Sequence, residues 1–338
     1  RVWQSLGGSA PCCVAGHSLG EYSALVAAEA LSFADAVKLV QLRGQLMQKA
    51  VPLGEGAMAA IIGLGDSDVV KACEISAQGD VVSAVNFNAP SQVVIAGSAE
   101  AVSLAAEALK AEGAKRVLPL PVSAPFHTPM MQYAADVIGE ELSGMTINTP
   151  KMPVISNVNG EPQSDPEEIR RLLVEQVVSP VRWTACMDTM LQMGCSDFVE
   201  CGPGRVLSGL TRRINREARG YGVETPEQLK STLAELAQEF PDHCLQPGEA
   251  DDAAPLPLSG EGPVMQSLDV LRQIVADQLV GLFFVGHGVD RDAGVRVDRP
   301  SQIVMGTVHG GADRFLAKRF GDACGDLTGG DPLVEFAV

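Results

Sequence analysis

Along its first 240 residues the chain alternates between two hydrophobic periods, helical spacing and strand-like runs. A short apolar run leads into Gly16-His17-Ser18-Leu19-Gly20-Glu21, and alanine- and leucine-rich spacing then predicts a helix over 21–30. Ser32, with Asp35 three residues on, reads as the N-cap of a second helix reaching 48. In it Phe33, Ala36, Val37, Leu39, Val40 and Met47 recur at helical spacing, and Arg43 interrupts them. On pattern alone Arg43 reads as a solvated surface arginine. A breaker-rich link over 51–56 follows. Beyond it the pattern predicts a strand over 57–64, a helix over 66–78 and strands over 81–86 and 92–97. A helix over 98–112 and a strand over 115–120 complete the set. This βαββαβ order is the ferredoxin-like split unit. The stretch Asn86-Phe87-Asn88-Ala89-Pro90-Ser91 reads as the turn of its central hairpin, where asparagine ordinarily serves the backbone.

Prolines 121, 125 and 129 punctuate the next loop, and Thr128-Pro129 reads as the N-cap and first residue of a helix. A strand over 153–157 ends at the turn Asn159-Gly160. Helices are predicted over 165–178 and 184–193, then a strand over 197–200. Cys201-Gly202-Pro203-Gly204 opens a helix to about 216. On its own it is a tight strand-to-helix turn that needs no ligand. After about 238 the texture changes: residues 241–338 carry 15 acidic against 7 basic side chains and 14 of the 35 glycines. A helix over 264–285 is the single element suggested there, and Gly286-His287-Gly288 is too sparse to be a motif.

The expected fold is therefore α/β: a hydrolase-like parallel sheet with helices on both faces, plus an inserted ferredoxin-like subdomain. Residues 1–50 and 130–240 are expected to form the core, residues 51–129 the insert, and 241–338 a tail of uncertain fold. A chain of 338 residues has room for two or three such units.

Charge narrows the partners. Formal net charge is −17, which argues against nucleic acid and anionic membrane surfaces. No apolar run is long enough to span a bilayer, and residues 1–20 lack a secretory-signal pattern, so a cytoplasmic protein is expected. The eight cysteines (12, 13, 73, 186, 195, 201, 244, 324) form no C-x-x-C pair and no metal-ligand spacing. They read as reduced thiols, with no metal site.

The chemistry-bearing stretch is the first one. Gly16 and Gly20 allow a strand and a helix to pass closely at a sharp turn, which thrusts the Ser18 hydroxyl clear of the backbone. The helix that follows aims its free N–H groups at charge created there. GxSxG alone arises often by chance, but strand before and helix after favour a nucleophile elbow. Of five histidines, His127 sits on a proline-stiffened loop, His17 adjoins the serine, and His243, His287 and His309 fall in the tail.

Taken with Arg43, the stretches Gly-His-Ser-Leu-Gly-Glu (16–21) and Ser-Ala-Pro-Phe-His-Thr-Pro (123–129) resemble malonyl-CoA:acyl-carrier-protein transacylases. Asn-Phe-Asn-Ala-Pro-Ser-Gln-Val-Val (86–94) and Glu-Cys-Gly-Pro-Gly (200–204) extend the resemblance over residues 1 to 238. The resemblance implies transfer of malonyl from CoA to the pantetheine thiol of an acyl carrier protein through an ester on Ser18. It implies His127 as base and acid near neutrality, oriented by the backbone carbonyl of Gln176, and the backbone N–H of Leu19 as an oxyanion donor. Arg43 would bind the free malonyl carboxylate through paired, charge-assisted hydrogen bonds. Phe126 would size the pocket, with Met47, Met58, Val122, Asn86 and Asn88 at matching positions near it. On pattern alone the two methionines and Val122 are core residues. No cofactor is expected beyond the two thioester substrates. The basic stretch Arg212, Arg213, Arg216 and Arg219 is the candidate dock for an acidic carrier protein.

The same resemblance implies an upstream strand and a Gly-Gln-Gly-Ser-Gln loop, whose glutamine completes the oxyanion hole. Residues 1–338 do not include that segment, so low or no activity is expected of them. Loss of one oxyanion donor typically costs about a hundred- to a thousandfold in rate. Two further readings stay open: a serine esterase or thioesterase, which requires an acid between serine and histidine in the chain, and a non-catalytic module that binds CoA or carrier protein.

Overall fold

A computed structural model describes residues 2–122 and 124–239. The readings placed on 241–338, including the tail, the helix over 264–285 and three of the histidines, lie outside the described residues. The chain opens with α1 (Val2–Ser5), β1 (Val14–Ala15), α2 (Gly20–Ala27) and α3 (Phe33–Lys49). It continues through β2 (Gly56–Ile62), α4 (Asp66–Ala77), β3 (Val82–Ala89), β4 (Gln92–Ser98), α5 (Ala99–Ala111) and β5 (Arg116–Pro119). A 3-10 turn (Pro129–Met131) leads into α6 (Gln132–Ser143), β6 (Val154–Ile155), β7 (Pro162–Gln163), α7 (Pro166–Val178) and α8 (Trp183–Gln192). Last come β8 (Asp197–Glu200), α9 (Val206–Ile214), β9 (Arg219–Gly222) and α10 (Pro226–Glu239).

The architecture is mixed α/β. β1 runs parallel to β6, pairing Val14 with Val154 and Ala15 with Ile155, and β7 adds an antiparallel edge. β8 and β9 form a separate parallel pair. Helix ends follow local chemistry. Ser32 caps α3 by accepting the Asp35 N–H at 3.1 Å, and Asp165 caps α7 by accepting the Glu167 N–H at 3.1 Å with Pro166 at the first position.

The insert is an antiparallel sheet of order β3-β4-β2-β5 with α4 and α5 between its strands, the ferredoxin-like arrangement. Both faces of this sheet are covered, and alternation assigns them. Ala59, Ile61, Val93 and Ile95 face α4 and α5, whereas Met58, Val94 and Ala96 join the core built by α2, α3, α6 and α7. The subdomain is tied to the rest of the chain by β3, because Phe87 N–H bonds Val181 O at 2.9 Å and Val181 N–H bonds Val85 O at 2.8 Å.

Several expectations need correction. Asn86 and Asn88 do not lie in a turn: β3 runs to Ala89, and the turn is Pro90-Ser91, with Ser91 at φ +60°. Two register shifts, between Ala84 and Asn86 and between Phe87 and Ala89, re-aim the asparagines as bulges do. Thr128 does not cap a helix through its side chain. Its hydroxyl donates to Pro125 O at 2.7 Å, and a 3-10 turn precedes α6. The strand expected over 153–157 shortens to Val154–Ile155, because the Ser156 N–H turns to Glu161 O and Asn157 turns its polar groups to the distant elbow at Gly16, Ser18 and Glu21. α1, β7, β9 and α10 have no counterpart in the sequence pattern. Among the described residues no helix is long and apolar enough to cross a membrane.

Candidate active site

The elbow forms where β1 hands over to α2. Its sharpness is enforced at Gly16: a Cβ there would sit 1.9 Å from the carbonyl carbon and oxygen of Gly20. Ser18 takes φ +50°, a left-handed conformation that ordinary L residues avoid, and His127 takes φ +62°. Such backbone costs of order 1–3 kcal/mol per residue and persists where the surroundings over-determine it. Here those surroundings are polar. Asn157 accepts the Ser18 N–H at 2.6 Å on Oδ1 and donates through Nδ2 to Gly16 O at 2.8 Å, clamping both sides of the turn.

The two strained residues meet. Ser18 Oγ lies 2.7 Å from His127 Nε2. His127 Nδ1 lies 2.9 Å from the backbone carbonyl of Gln176, an acceptor only, so Nδ1 carries the proton and Nε2 is left free to receive one. Burial, reinforced by the Arg43 charge, lowers the His127 pKa to about 3, so the imidazole is neutral across the physiological range. This departs from the expected titration near neutrality; the cause is desolvation of a fully enclosed ring.

Arg43 is not on the surface. It falls in line with Ala36, Leu39 and Met47 on the buried stripe of α3 and is 0% exposed. The spacing that makes it interrupt an apolar run is the spacing that aims it inward. Its Nη2 donates to Ser18 Oγ at 3.0 Å and to Gln176 Oε1 at 3.1 Å, and its guanidinium lies 5.6 Å over the Tyr22 ring. Its Nε and Nη1 are buried with no hydrogen-bond partner among the described residues. An arginine normally arrives in an interior with its donors paired. This one presents unspent N–H groups beside the nucleophile.

Gln176 does more than its main chain suggests. Its Nε2 donates to Ser18 O at 2.9 Å and to Glu21 Oε2 at 2.7 Å, so one side chain ties elbow, helix and arginine together. Glu21 is buried, and desolvation raises its pKa to about 7 against the hydrogen bonds from Gln176 and Asn157. His17 is wholly buried and serves Asn88, whose Oδ1 accepts from Nε2 at 2.8 Å, while its ring packs 5.5 Å from Trp183. Desolvation lowers the His17 pKa to about 4.

The structure thus brings together Ser18, His127, Arg43 and Gln176. Leu19 is buried at the N-cap of α2, and the three N–H groups that follow it, of Gly20, Glu21 and Tyr22, bond the carbonyls of His17, Ser18 and Leu19. Met47, Met58 and Phe126 are buried and Val122 half-buried, all within or against the core cluster that holds Leu19. Asn88 is occupied by His17, and Asn86 is buried with Oδ1 unpartnered. Of the four arginines, Arg212 and Arg213 lie in the last turn of α9, Arg216 follows it, and Arg219 lies on β9, where it binds Asp197 with both Nε (2.7 Å) and Nη2 (2.8 Å). Asn157, Glu21 and the Gln176 side chain are functional neighbours that sequence reasoning does not assign. For Glu21 and Gln176 the one signal is polarity among apolar neighbours, and Asn157 has none.

Comparison with known proteins gives one answer. A family model described as an acyl transferase domain matches residues 1–225. The malonyl CoA-acyl carrier protein transacylase of Escherichia coli strain K12 is 52% identical over 233 residues, covering 69% of this chain and 75% of that protein. Its namesake in Bacillus subtilis strain 168 is 45% identical over 234 residues, covering 69% and 74%. Among solved structures, an acyl-carrier-protein S-malonyltransferase from Burkholderia pseudomallei aligns with a TM-score of 0.68 at 49% identity, covering 69% and 76%. A malonyl-transacylase solved in complex with its type II PKS acyl-carrier protein aligns with a TM-score of 0.69 at 49% identity, covering 70% and 76%.

Proposed function

The chain belongs to the acyl transferase family, and from that premise we propose that it moves a malonyl group from CoA to the pantetheine thiol of an acyl carrier protein. The observation that carries the substrate is Arg43, with Nη2 on the nucleophile and Nε and Nη1 unspent. A carboxylate two bonds beyond the reacting carbonyl satisfies those donors with paired, charge-assisted hydrogen bonds. An acetyl group leaves the buried charge uncompensated, which is the basis of selectivity.

Each step is carried by the chain's own groups. The Ser18 oxygen attacks the thioester carbonyl as its proton passes to His127 Nε2. The oxyanion forms beside the Leu19 N–H at the positive end of α2. As the carbon–sulfur bond breaks, His127 returns the proton to the CoA sulfur, and malonyl remains as an ester on Ser18. The pantetheine thiol then gives its proton to His127, its sulfur takes the acyl group, and Ser18 leaves as the hydroxyl. The carbonyl of Gln176 replaces the carboxylate of a conventional triad: it fixes tautomer and ring angle without adding charge. The bound malonyl carboxylate also offsets the Arg43 charge that depresses His127, so the base strengthens when the correct substrate is present. Phe126, Met47, Met58 and Val122 would wall the acyl pocket, with Asn86 lending an unspent acceptor.

The absence of a carboxylate on His127 Nδ1 among the described residues disfavours the esterase reading, whose triad needs one. For the carrier protein we assign the exposed Arg212 and Arg213 in the last turn of α9 and Arg216 just beyond it, leaving out Arg219 because Asp197 already pairs with it. Charge reversal of Arg212 and Arg213 would raise KM for carrier protein and leave KM for malonyl-CoA unchanged; equal effects on both would remove the dock. The cytoplasm is the compartment assigned, on the support of free cysteines at every described position. The central test is intact mass after mixing with malonyl-CoA. A malonyl adduct that vanishes in Ser18→Ala and falls sharply in Arg43→Ala is expected. Persistence of the adduct in Ser18→Ala would overturn the reading.

A further inference from the structure

Three thiols meet outside the acyl site. Cys12 and Cys13 immediately precede β1, and Cys195 lies between α8 and β8, 183 residues from Cys12. Their sulfurs are separated by 3.1 Å (Cys12 to Cys195), 3.6 Å (Cys13 to Cys195) and 4.0 Å (Cys12 to Cys13). No ligand spacing in the sequence announces this, because the third member arrives from the far side of the fold. Among the described residues it is the one convergence of three potential metal ligands.

The geometry is that of a coordination face. Four sulfurs bound tetrahedrally at a Zn–S length of about 2.3 Å are spaced by about 3.8 Å along each edge. The three observed separations bracket that edge. Cysteine packed only as a small hydrophobe is buried among carbon atoms. Here Cys13 and Cys195 do rest against the core with Trp183, Met187 and Met190, but Cys12 is exposed and closes the triangle from the solvent side. Solvent is thus left to supply a fourth ligand. The frame is also fixed on both sides: β1 is held in register by β6, and Cys195 N–H is bonded to Met190 O at 3.1 Å.

We propose that Cys12, Cys13 and Cys195 form a thiolate site for a soft d10 cation, with Zn2+ as its probe. Three sulfur donors select Zn2+ or Cu(I) over hard cations. Each metal–sulfur bond replaces an S–H bond, so as many as three protons pass to the buffer, and water takes the fourth position. Bound metal joins the entry to β1 with the entry to β8, two segments whose strands belong to different sheets. It is a structural clasp behind the elbow and plays no part in acyl transfer.

The test uses the full chain with Cys244→Ser and Cys324→Ser, so that cysteines beyond the described residues contribute nothing. Under reducing conditions, competition with a chromophoric chelator is expected to give one tightly held Zn2+ per chain. Cd2+ would give a sulfur-to-metal charge-transfer band of the same stoichiometry. Cys12→Ser, at the exposed corner, and Cys195→Ser should each weaken Zn2+ by more than about a hundredfold, beyond the effect of an outer-shell partner. Cys201→Ser should leave it unchanged. Zn2+ should raise the melting temperature of the parent and not of Cys12→Ser, as binding to the folded state alone requires. No retained Zn2+, equal binding by Cys12→Ser, or a disulfide from Cys195 to Cys12 or Cys13 under these conditions would overturn the proposal.

Discussion

At the scale of single residues, the site is built from polar groups that an apolar core would otherwise reject. Arg43 shows the point. Replacing it with alanine removes charge-assisted contacts worth about 1.5–3 kcal/mol, so kcat/KM for malonyl-CoA should fall about ten- to a hundredfold or more while the acetyl-CoA rate holds or rises. Stopped-flow acylation with both thioesters measures this, and a parallel loss for both would deny Arg43 its selective role. Asn157 supports Ser18 from behind. Asn157→Ala strands the Ser18 N–H, whose bond is 2.6 Å, and should lower stability by about 1–3 kcal/mol and kcat more than KM. Urea unfolding beside steady-state kinetics checks it; an unchanged kcat would make the clamp dispensable. The difference between these residues is also one of legibility. Ser18 and His127 stand out in sequence because glycine and proline frame them. Arg43 is visible only as a break in a stripe, and its inward aim follows once Leu39 and Met47 are seen on the same face. Asn157 has no signal of its own: its partner lies 139 residues away, and a polar residue after a two-residue strand looks like any loop.

At the scale of elements, backbone clearance decides what the sequence can vary. Gly16→Ala drives a methyl group into Gly20 backbone at 1.9 Å, and no side-chain rotation relieves it. That variant should lose acylation and unfold at lower urea even though only one methyl is added. Gly209, exposed within α9 with nothing within 4 Å of where an alanine methyl would sit, is the opposite case. Gly209→Ala should stabilise by about 0.8–1 kcal/mol, raising the melting temperature by about 2–4 °C with activity unchanged. A destabilised Gly209→Ala would mean that α9 is not held as described. Legibility follows length and framing here too. The βαββαβ insert is readable because its first three strands are seven or eight residues long and its helices carry a clear apolar stripe. β1 and β6 are two residues each, too short for any period. β9 reads Arg-Gly-Tyr-Gly, whose glycines argue against a strand until its parallel partner β8 is in place. The bulges of β3 disguise strand as turn for the same reason, since Asn and Pro near a hairpin end carry turn propensity whichever side of the boundary they fall.

At the scale of the whole molecule, enclosing three titratable groups in one core couples folding to pH. His17 and His127 have folded pKa values of about 4 and about 3, below the ordinary 6.5. Between those values the unfolded chain binds their protons and the native chain does not, so their contribution is present above pH 6.5 and is lost as pH falls. Glu21 runs the other way. Its folded value of about 7 exceeds the ordinary 4.5, so its contribution is full below pH 4.5 and is lost as pH rises through 7. From pH 6.5 down to 4.5 the unfolded state therefore holds two protons on these groups against one held natively. Stability should be nearly level above pH 6.5 and decline below it by about 1.4 kcal/mol per pH unit, the slope of one net proton. Glu21→Gln keeps an acceptor for Gln176 and removes the opposing titration, so the acid limb should steepen to about two protons. Urea midpoints at pH 5.0, 5.5, 6.0, 7.0 and 8.0 give both slopes. If parent and Glu21→Gln decline in parallel, Glu21 is ionised in the native core, and the elbow rests on a buried carboxylate rather than on a neutral acid that accepts from Gln176 and Asn157.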